Sequence, residues 1–303
     1  MSDYVIQTKN LSRYFGSKAA VADVNLCVPR GSVYAFMGRN GSGKTTTIRM
    51  LLGLLEPTSG SSTVLGQNSL NLTPDLKARI GHLSEGHHLY RWMTVATCGK
   101  FQAGCFPKWN WNIFNQVVDY FQLSRSAKVK HLSRGERAGL HLALTLAPEP
   151  ELLILDDPAL GLDPVARRNL LEAMIYVTSL QDRTILFASH LLDDVERVAT
   201  HVALLDQGVL RVQSSVDVFR GRVKRIALPA GDKRAKTDDI KGFLCSSRSE
   251  DETVVTFANF NDDTKAALKQ RGCDNYKELP MNLEEAVISF MRTRGELSFL
   301  IQE

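Results

Sequence analysis

Residues 38–46 read Gly-Arg-Asn-Gly-Ser-Gly-Lys-Thr-Thr, and this segment indicates the fold more strongly than any other. Its spacing, G-x-x-x-x-G-K-[ST], is typical of a loop whose backbone N–H groups surround phosphate oxygens. The apolar run Ser32–Met37 predicts a buried strand that leads into the loop, and Thr45–Gly53 predicts a helix whose N-terminus faces the phosphates. A glycine-rich turn with a surface lysine is the alternative, and the flanking strand and helix argue against it.

The residue types within this loop predict how it would hold a nucleotide. Its glycines allow backbone conformations that a β-carbon forbids, so that N–H groups can turn inward onto an anion. Lys44 would reach the β- and γ-phosphates, and the Thr45 hydroxyl would ligate Mg²⁺. We therefore expect nucleotide contacts from the whole loop, which also comprises Gly38, Arg39, Asn40, Gly41, Ser42, Gly43 and Thr46.

Composition restricts the class of protein. The 303 residues are 44% hydrophobic and 23% charged, as in a globular protein with one large core and a smaller second one. The net charge of +4 is too small to indicate nucleic-acid binding. We find neither a bilayer-length apolar run nor a signal peptide, so we expect a cytoplasmic protein that reaches the membrane through a partner. Five scattered cysteines favour reduced thiols over zinc or disulfides.

Apolar runs and helical patterns alternate along the first 220 residues. Leu152–Asp156 and Thr184–Ser189 read as strands buried on both faces of a sheet, whereas Val95–Leu146 is helical in pattern. This alternation predicts an α/β fold with a largely parallel core sheet and a helical insertion. The other predicted elements are strands at Val5–Thr8, Val24–Val28, Ser61–Leu65 and Arg79–Leu83, helices at Val165–Leu180 and Leu191–Thr200, and a hairpin of Val202–Asp206 with Val209–Val212.

The pattern changes near residue 220. Arg220–Lys241 is basic and contains proline and glycine, which favours a solvated linker; contact of Arg220–Lys236 with anionic lipid is the alternative. The segments that follow predict a small α+β appendage at 221–303, with no recognisable chemistry. They are a hairpin of Gly242–Ser246 with Thr253–Phe257 and helices at Asp262–Arg271 and Asn282–Thr293.

A pair of carboxylates follows the apolar strand at 152–155. Asp156 stands at the end of this strand, where a carboxylate can hold Mg²⁺ beside a phosphate loop. Asp157 comes next and would orient or polarise an attacking water. Two solvated turn carboxylates are the alternative. The phosphate loop argues against it, because a phosphate loop and a Mg²⁺-binding carboxylate act together in one nucleotide site.

Taken together, these segments resemble the nucleotide-binding subunit of an ABC transporter over about residues 1–220. The motifs follow in the family's order. The Walker A loop corresponds to Gly38–Thr46, Walker B to Leu152–Asp157, the signature to Leu132–Glu136, the D-loop to Ala159–Asp163, the switch histidine to His190, the Q-loop residue to Glu85, and the adenine-stacking aromatic to Phe15, with Tyr14 as the alternative.

The resemblance implies a P-loop NTPase core sheet with an antiparallel β subdomain and a helical subdomain at about 95–146, followed by the appendage. It also implies that two subunits pair head to tail, bury two ATP molecules and drive a separate transmembrane permease, here of the exporter type. The pair is a homodimer or a heterodimer with another ABC ATPase. The implied catalytic residues are Asp157, His190 and Glu85, the Mg²⁺ ligands are Thr45, Asp156 and Glu85, and further ATP contacts come from Phe15, Ser133, Arg134, Gly135 and Asp163.

The sequence departs from the family pattern at three positions. Asp157 replaces the usual catalytic Glu and is one methylene shorter, so we expect Mg-ATP to bind but to be hydrolysed slowly. Arg134 replaces the first signature glycine, and its cation would lie near the phosphate or point to solvent. Glu85 replaces the Q-loop Gln and remains an oxygen ligand.

Other interpretations stay open at this point. A catalytically weak regulatory module that binds ATP is the main alternative, whereas an ABC ATPase acting on DNA or ribosomes is disfavoured. His87 and His88 lack further ligands at zinc spacing. We expect most of the aromatics on or near the helical subdomain to be core residues, with docking of the permease as the alternative for some; they are Trp92, Phe106, Trp109, Trp111 and Phe114.

Overall fold

The computed structural model describes residues 3–179, 183–229, 237–248, 252–273, 275–292 and 301–302. The strands are β1 Tyr4–Phe15, β2 Lys18–Val24, β3 Cys27–Pro29, β4 Val33–Met37, β5 Ser59–Val64, β6 Gln67–Asn68, β7 Ile80–Leu83, β8 Leu152–Asp156, β9 Thr184–Ser189, β10 His201–Asp206, β11 Val209–Ser215, β12 Lys224–Pro229, β13 Phe243–Arg248, β14 Glu252–Phe257, β15 Lys277–Leu279 and β16 Ile301–Gln302. The helices are α1 Lys44–Leu51, α2 Pro74–Ala78, α3 Val95–Ala103, α4 Trp111–Tyr120, α5 Arg134–Leu146, α6 Pro164–Ser179, α7 Leu192–Val198, α8 Val216–Arg222, α9 Asp262–Gln270 and α10 Leu283–Arg292.

The core sheet confirms the predicted α/β fold. Within the described residues its strand order is β16-β11-β10-β4-β9-β8-β7. The five strands from β10 to β7 run parallel, so their carboxyl ends meet at one edge of the sheet. Strands β8 and β9 have the predicted bounds and are buried throughout, as the continuous apolar runs require. The predicted hairpin of β10 and β11 is also confirmed.

The N-terminal part of the chain also forms an antiparallel sheet of β2-β1-β5-β6, with β3 paired to β1; strand β4 of the core sheet lies between β3 and β5 in the chain. The strand predicted at Val5–Thr8 extends to Phe15. The single strand predicted at Val24–Val28 is wrong, because the chain leaves the ladder between β2 and β3. The Asn25 side chain accepts a hydrogen bond from the Asn10 N–H (2.8 Å) and donates one to the Asp23 carbonyl (3.0 Å). These local bonds replace strand pairing at that point.

The segment between β7 and β8 is helical, as predicted. It contains α3, α4 and α5, with a short 3₁₀ turn at Val129–His131. Helix α5 begins with a capping box, in which the Ser133 hydroxyl and the Glu136 carboxylate each accept a backbone N–H of the other residue, at 3.2 and 2.7 Å. This cap satisfies two of the N–H groups that a helix start leaves free.

The prediction of a solvated linker after residue 220 is wrong for Lys224–Pro229. This segment is β12, an inner strand of the sheet β13-β14-β12-β15, and it is paired on both sides. Ile226, Ala227 and Leu228 are buried, and the basic residues around them hid this short apolar run. Of the stretch considered for lipid contact, residues 220–222 form the end of α8, and residues 230–236 lie outside the described residues. The hairpin of β13 and β14 and the two helices after it have nearly the predicted bounds.

Helix α10 belongs to the proposed appendage in sequence but packs onto the main core. Leu283, Ala286, Val287 and Phe290 are buried in the same apolar cluster as residues of β4, α5 and β9. The rings of Phe219 and Phe290 lie 5.6 Å apart. The domain boundary near residue 220 stays a prediction, since this helix packs across it. None of the described helices is long and apolar enough to cross a membrane.

Candidate functional site

The predicted polar groups gather at the carboxyl edge of the core sheet. The loop 38–43 follows β4, His190 follows β9, and Asp156 ends β8. Glu85 comes two residues after β7. Because these four strands are parallel neighbours, their ends bring one loop, one histidine and the acidic side chains to the same place.

The loop takes the shape that the glycine spacing predicts. Gly38 (φ 159°) and Gly43 (φ 109°) have backbone conformations that favour glycine, and a Cβ on either would overlap a carbonyl oxygen, of Leu205 and Ala20 respectively. The first N–H groups of a helix have no partner within it, and Gly43, the N-cap residue of α1, has no side chain to accept from them. The Lys44 ammonium closes the loop by donating to the Gly38 carbonyl at 2.8 Å. The loop is therefore prepared to receive an anion at the start of α1.

Two carboxylates lie against the loop. The Thr45 hydroxyl donates to Asp156 Oδ1 at 3.1 Å. Asp157 Oδ1 lies 3.0 Å from His190 Nδ1, and its Oδ2 lies 3.9 Å from Lys44 Nζ. Asp157 also has a left-handed backbone, with φ 44°. These contacts bring together the residues predicted for magnesium binding and catalysis.

Burial and the repulsion between neighbouring carboxylates shift the pKa values of the groups at this site. Burial lowers the pKa of the Lys44 ammonium, against the opposing pull of the Asp157, Asp156 and Glu85 carboxylates. Burial raises the pKa of the Asp156 carboxyl; the hydrogen bond from Thr45 opposes this shift, and the charges of Asp157 and Glu85 add to it. A cation beside Asp156 would relieve that repulsion.

The oxygen ligands at this edge fit Mg²⁺. Asp156, Glu85 and the Thr45 hydroxyl are hard oxygen donors, which this ion prefers. No group of three His, Cys, Asp or Glu side chains among the described residues forms a ready metal cage. Mg²⁺ in nucleotide sites is held by one or two carboxylates together with phosphate oxygens, so the residues present are sufficient.

A cavity of about 510 Å³ opens in front of the loop. Most of the predicted loop residues line it, and Glu85 and Asp157 lie at its wall. Sequence reasoning missed three lining residues, Lys18, Ala20 and Leu160. Lys18 pairs with Phe15 across the hairpin of β1 and β2, so a correct prediction of that hairpin would have found it.

Phe15, rather than Tyr14, borders the cavity. Phe15 is 51% exposed, which leaves room for a flat partner on its ring. The Arg13 guanidinium carbon lies 4.8 Å from the ring centroid, and Arg13 also donates to the Glu56 carbonyl at 2.9 Å. Arg13 does not line the cavity, and it steadies the ring by a cation–π contact.

The predicted signature residues do not line this cavity. Ser133 caps α5, as described above. Arg134 is exposed beside the D-loop, where a Cβ added to Gly161 would lie 2.8 Å from its Nη1. Gly135 allows α5 to approach Ala166 of α6 closely. Asp163 caps α6 by accepting the N–H groups of Val165 and Ala166, both at 3.0 Å. Their contact with ATP across a dimer stays a prediction.

A groove of about 310 Å³ lies between β7 and the helical segment. Burial lowers the pKa of His87 to about 4 and that of His141 to about 3, so both are neutral near pH 7.

The aromatics predicted near this subdomain divide into two groups. Phe114 is buried, as a core residue, whereas Phe106 lines the groove and Trp92 is 67% exposed.

The fold and the phosphate loop define a P-loop nucleotide-binding cassette, and comparisons with known proteins agree. The family described as ABC transporter matches residues 21–160. The chain is 33% identical over 223 residues to the bacitracin transport ATP-binding protein BcrA of Bacillus licheniformis, which covers 73% of each chain. It is 32% identical over 293 residues to the Nod factor export ATP-binding protein I of Cupriavidus metallidurans, covering 94% of this chain and 96% of that one.

Solved structures agree with the same assignment. The structure of an ATP binding subunit of an ABC transporter superposes with a TM-score of 0.64 at 27% identity, covering 72% of this chain and 92% of that one. The ADP conformation of the cassette MJ1267 has the same fold, with a TM-score of 0.61. The chain belongs to the family of ABC transporter ATP-binding proteins.

Proposed function

We propose that this chain hydrolyses Mg-ATP in a head-to-tail dimer and that dimer closure drives a separate transmembrane exporter. One observation carries the proposal: the cavity has a phosphate loop, a lysine and acidic side chains, but lacks the signature residues of its own chain. A second protomer would complete it. Supporting comparisons include a dimeric structure of the cassette MJ0796 with ADP and phosphate, and relatives whose names include bacitracin transport and Nod factor export.

The proposal assigns a residue to each step of ATP binding. The free N–H groups of α1 and the Lys44 ammonium would hold the β- and γ-phosphates. Thr45 and Asp156, with Glu85 nearby, would hold Mg²⁺, which neutralises the phosphate charge when it is bound. Phe15 would stack on the adenine ring, with Arg13 behind it.

Asp157 and His190 act on the water and the γ-phosphate in this proposal. Asp157 would orient the attacking water, and His190, 3.0 Å away, would hold the carboxylate and hydrogen-bond the γ-phosphate. The shorter side chain of Asp157 keeps its carboxylate close to the sheet edge. A shift of about 1 Å from the productive position costs roughly 100-fold in rate, so we expect slow turnover.

The partner permease would contact the groove beside the helical segment. Tyr90, Trp92 and Phe101 are exposed there, with the Tyr90 and Phe101 rings 5.8 Å apart. Exposed aromatic clusters of this kind mark protein interfaces. We propose that a helix of the permease docks into this groove.

A second candidate function rests on Asp157. Its carboxylate is held by His190. In this alternative the chain is a catalytically weak cassette that binds ATP and regulates a complex in which another ABC subunit hydrolyses ATP. Such a chain would bind Mg-ATP without measurable turnover alone.

The test combines calorimetry, sedimentation and turnover of the purified full chain with Mg-ATP. We expect binding, an ATP-dependent dimer and slow release of phosphate. Binding without turnover, together with faster hydrolysis by an added ABC partner, would support the regulatory candidate instead. No uptake of Mg-ATP by folded protein would refute both. Recovery of a multi-span membrane protein with the tagged chain, lost on Trp92→Glu, tests the permease contact.

A further inference from the structure

The nucleotide cavity contains a second lysine besides that of the phosphate loop. Lys18, the first residue of β2, lines the cavity. The other ionisable side chains in its wall, among the residues that the structure describes, are Lys44, Glu85 and Asp157. Lys18 belongs to none of the motifs that predict the site, and it has no role in the proposed function. Its position in β2 indicates which part of a nucleotide it would face.

Strand β2 runs along the cavity from the end where the base would stack to the phosphate loop. At the start of the strand, Lys18 is paired with Phe15 across the hairpin. Two residues later, β2 meets the loop, since a Cβ added to Gly43 would overlap the Ala20 carbonyl oxygen. Alternate residues of a strand point to the same face, so Lys18 and Ala20 both line the cavity. Lys18 therefore lies between Phe15 and the phosphate loop.

This spacing places Lys18 opposite the middle of a nucleotide. A strand advances about 3.3 Å per residue, so Lys18 starts roughly 7 Å from Ala20 along β2. In the proposed function, Lys44 and the N–H groups of α1 hold the β- and γ-phosphates, and Phe15 stacks on the base. The parts left opposite Lys18 are the α-phosphate and the ribose, and of these two only the phosphate is charged.

The charges in the cavity favour a phosphate at Lys18. The Lys44 ammonium already has carboxylates around it, those of Asp157, Asp156 and Glu85. Lys18, by contrast, is exposed and forms no ion pair with any other described residue. Because Mg-ATP keeps a net negative charge, an ammonium without a counter-ion at this place would attract it, and a charge-assisted hydrogen bond is stronger than a neutral one.

We propose that the Lys18 ammonium binds the α-phosphate of the nucleotide and thereby strengthens the binding of ADP as well as that of ATP. The inference rests on the proposed function, because it requires a nucleotide in this cavity with its base on Phe15. Lys44 would contact the γ-phosphate, which only ATP has, whereas ATP and ADP both carry the α-phosphate. Lys18 therefore sets how tightly the chain holds a nucleotide before and after hydrolysis, and not which of the two it prefers.

The experiment measures nucleotide binding by the full chain with Lys18→Met, by isothermal titration calorimetry in the presence of Mg²⁺. We expect affinity for ATP and for ADP to fall by the same factor, roughly three- to tenfold, because a charge-assisted contact at an exposed site is lost. Lys18→Arg keeps a cation there and should stay within about twofold of the wild type. The exposed Lys9→Met on β1 removes the same charge outside the cavity and is the matched control.

Two further ligands locate the contact on the nucleotide. Pyrophosphate would fill the β- and γ-positions at the loop but has no α-phosphate, so Lys18→Met should leave its affinity nearly unchanged. Dideoxy-ATP keeps the α-phosphate but lacks both ribose hydroxyls, so Lys18→Met should weaken its binding by the same factor as that of ATP. The loss for ATP should become smaller at high salt, because salt screens a contact between exposed charges.

The other outcomes would overturn either the inference or the proposed function. Unchanged ATP affinity in Lys18→Met would mean that the ammonium points to solvent. A loss confined to ATP would assign the contact to the γ-phosphate, an equal loss for pyrophosphate would assign it to the loop, and no loss for dideoxy-ATP would assign it to the ribose. Each of these four results would overturn the inference. A folded wild-type chain that binds none of the ligands would instead refute the proposed function.

Discussion

The phosphate-loop region and the signature region of this chain differ in how their polar groups are used. At the loop, the N–H groups at the start of α1 lack partners in the helix, and acidic side chains crowd around Lys44. At the signature, the Ser133 hydroxyl caps α5 and the Asp163 carboxylate caps α6. The N–H groups at the start of α1 therefore have no side-chain cap, whereas caps satisfy some of those at the starts of α5 and α6.

This difference indicates what each region can contribute. Free N–H groups and a buried ammonium give an intrinsic affinity for an anion, even in a single protomer. Residues that cap helices contribute to stability, and binding of phosphate would be a second role for the same residues. We therefore expect substitutions at the loop to change ATP binding by the monomer, and substitutions at the signature to change stability and dimerisation.

The largest expected effect is that of Lys44→Ala. Removing an ammonium that contacts phosphate costs about 3 kcal/mol, so ATP affinity should fall on the order of 100-fold. Isothermal titration calorimetry with Mg-ATP measures it, and the exposed Lys77→Ala is the matched control. Unchanged affinity in Lys44→Ala would remove the contrast between the two regions.

Asp157→Glu should increase turnover by roughly 30-fold. The added methylene would bring the carboxylate toward the water in line with the γ-phosphate, and misplacement by about 1 Å is worth roughly 100-fold. Phosphate release under saturating Mg-ATP measures the rate, and binding should stay nearly constant. A fast wild-type rate that Asp157→Glu leaves unaltered would show that the shorter carboxylate is adequate.

Phe15→Ala should weaken ATP binding by about tenfold, because stacking of a base on an aromatic ring is worth about 1–3 kcal/mol. Tripolyphosphate, which lacks the base, should bind both forms equally. Arg13→Ala should have a smaller effect in the same direction, since a cation–π contact at an exposed site is worth about 0.5–1 kcal/mol. Equal losses for ATP and tripolyphosphate would mean that Phe15 supports the loop instead.

Much of the core and the loop could be predicted from the sequence because the pattern and the chemistry agree there. The continuous apolar runs of β8 and β9 can only be buried strands in such a sheet, and their bounds were predicted to the residue. Parallel strands then fix where their ends meet, which places Asp156 and His190 beside the phosphate loop. The predicted strand at Val24–Val28 is wrong because local hydrogen bonds of Asn25 override the apolar pattern there.

Long-range packing could not be predicted in the same way. Strand β12 carries only a short apolar run among basic residues, and its pairing with β14 and β15 depends on segments far along the chain. The contact of α10 with the main core likewise depends on tertiary packing. The family resemblance implies only ATP contacts for Ser133 and Asp163, so their caps were not predicted, although both residue types are strong N-caps.

The smallest expected effect separates the two possible roles of Ser133. Ser133→Ala removes the cap of α5 and should lower the free energy of unfolding by about 1 kcal/mol, measured by urea denaturation. Ser133→Asp keeps a capping oxygen, so stability should remain near that of the wild type. Its negative charge would repel the phosphates of a facing protomer.

If the signature contacts ATP across a dimer, the two variants should therefore differ in what they lose. Ser133→Ala should lose stability, whereas Ser133→Asp should lose dimerisation. Ser133→Asp should dimerise poorly with Mg-ATP while remaining stable, and neither variant should alter ATP affinity of the monomer by more than about twofold. The exposed Ser124→Asp serves as a control for added charge. Normal ATP-dependent dimerisation of Ser133→Asp would limit Ser133 to capping, and the signature region would then act only as structure.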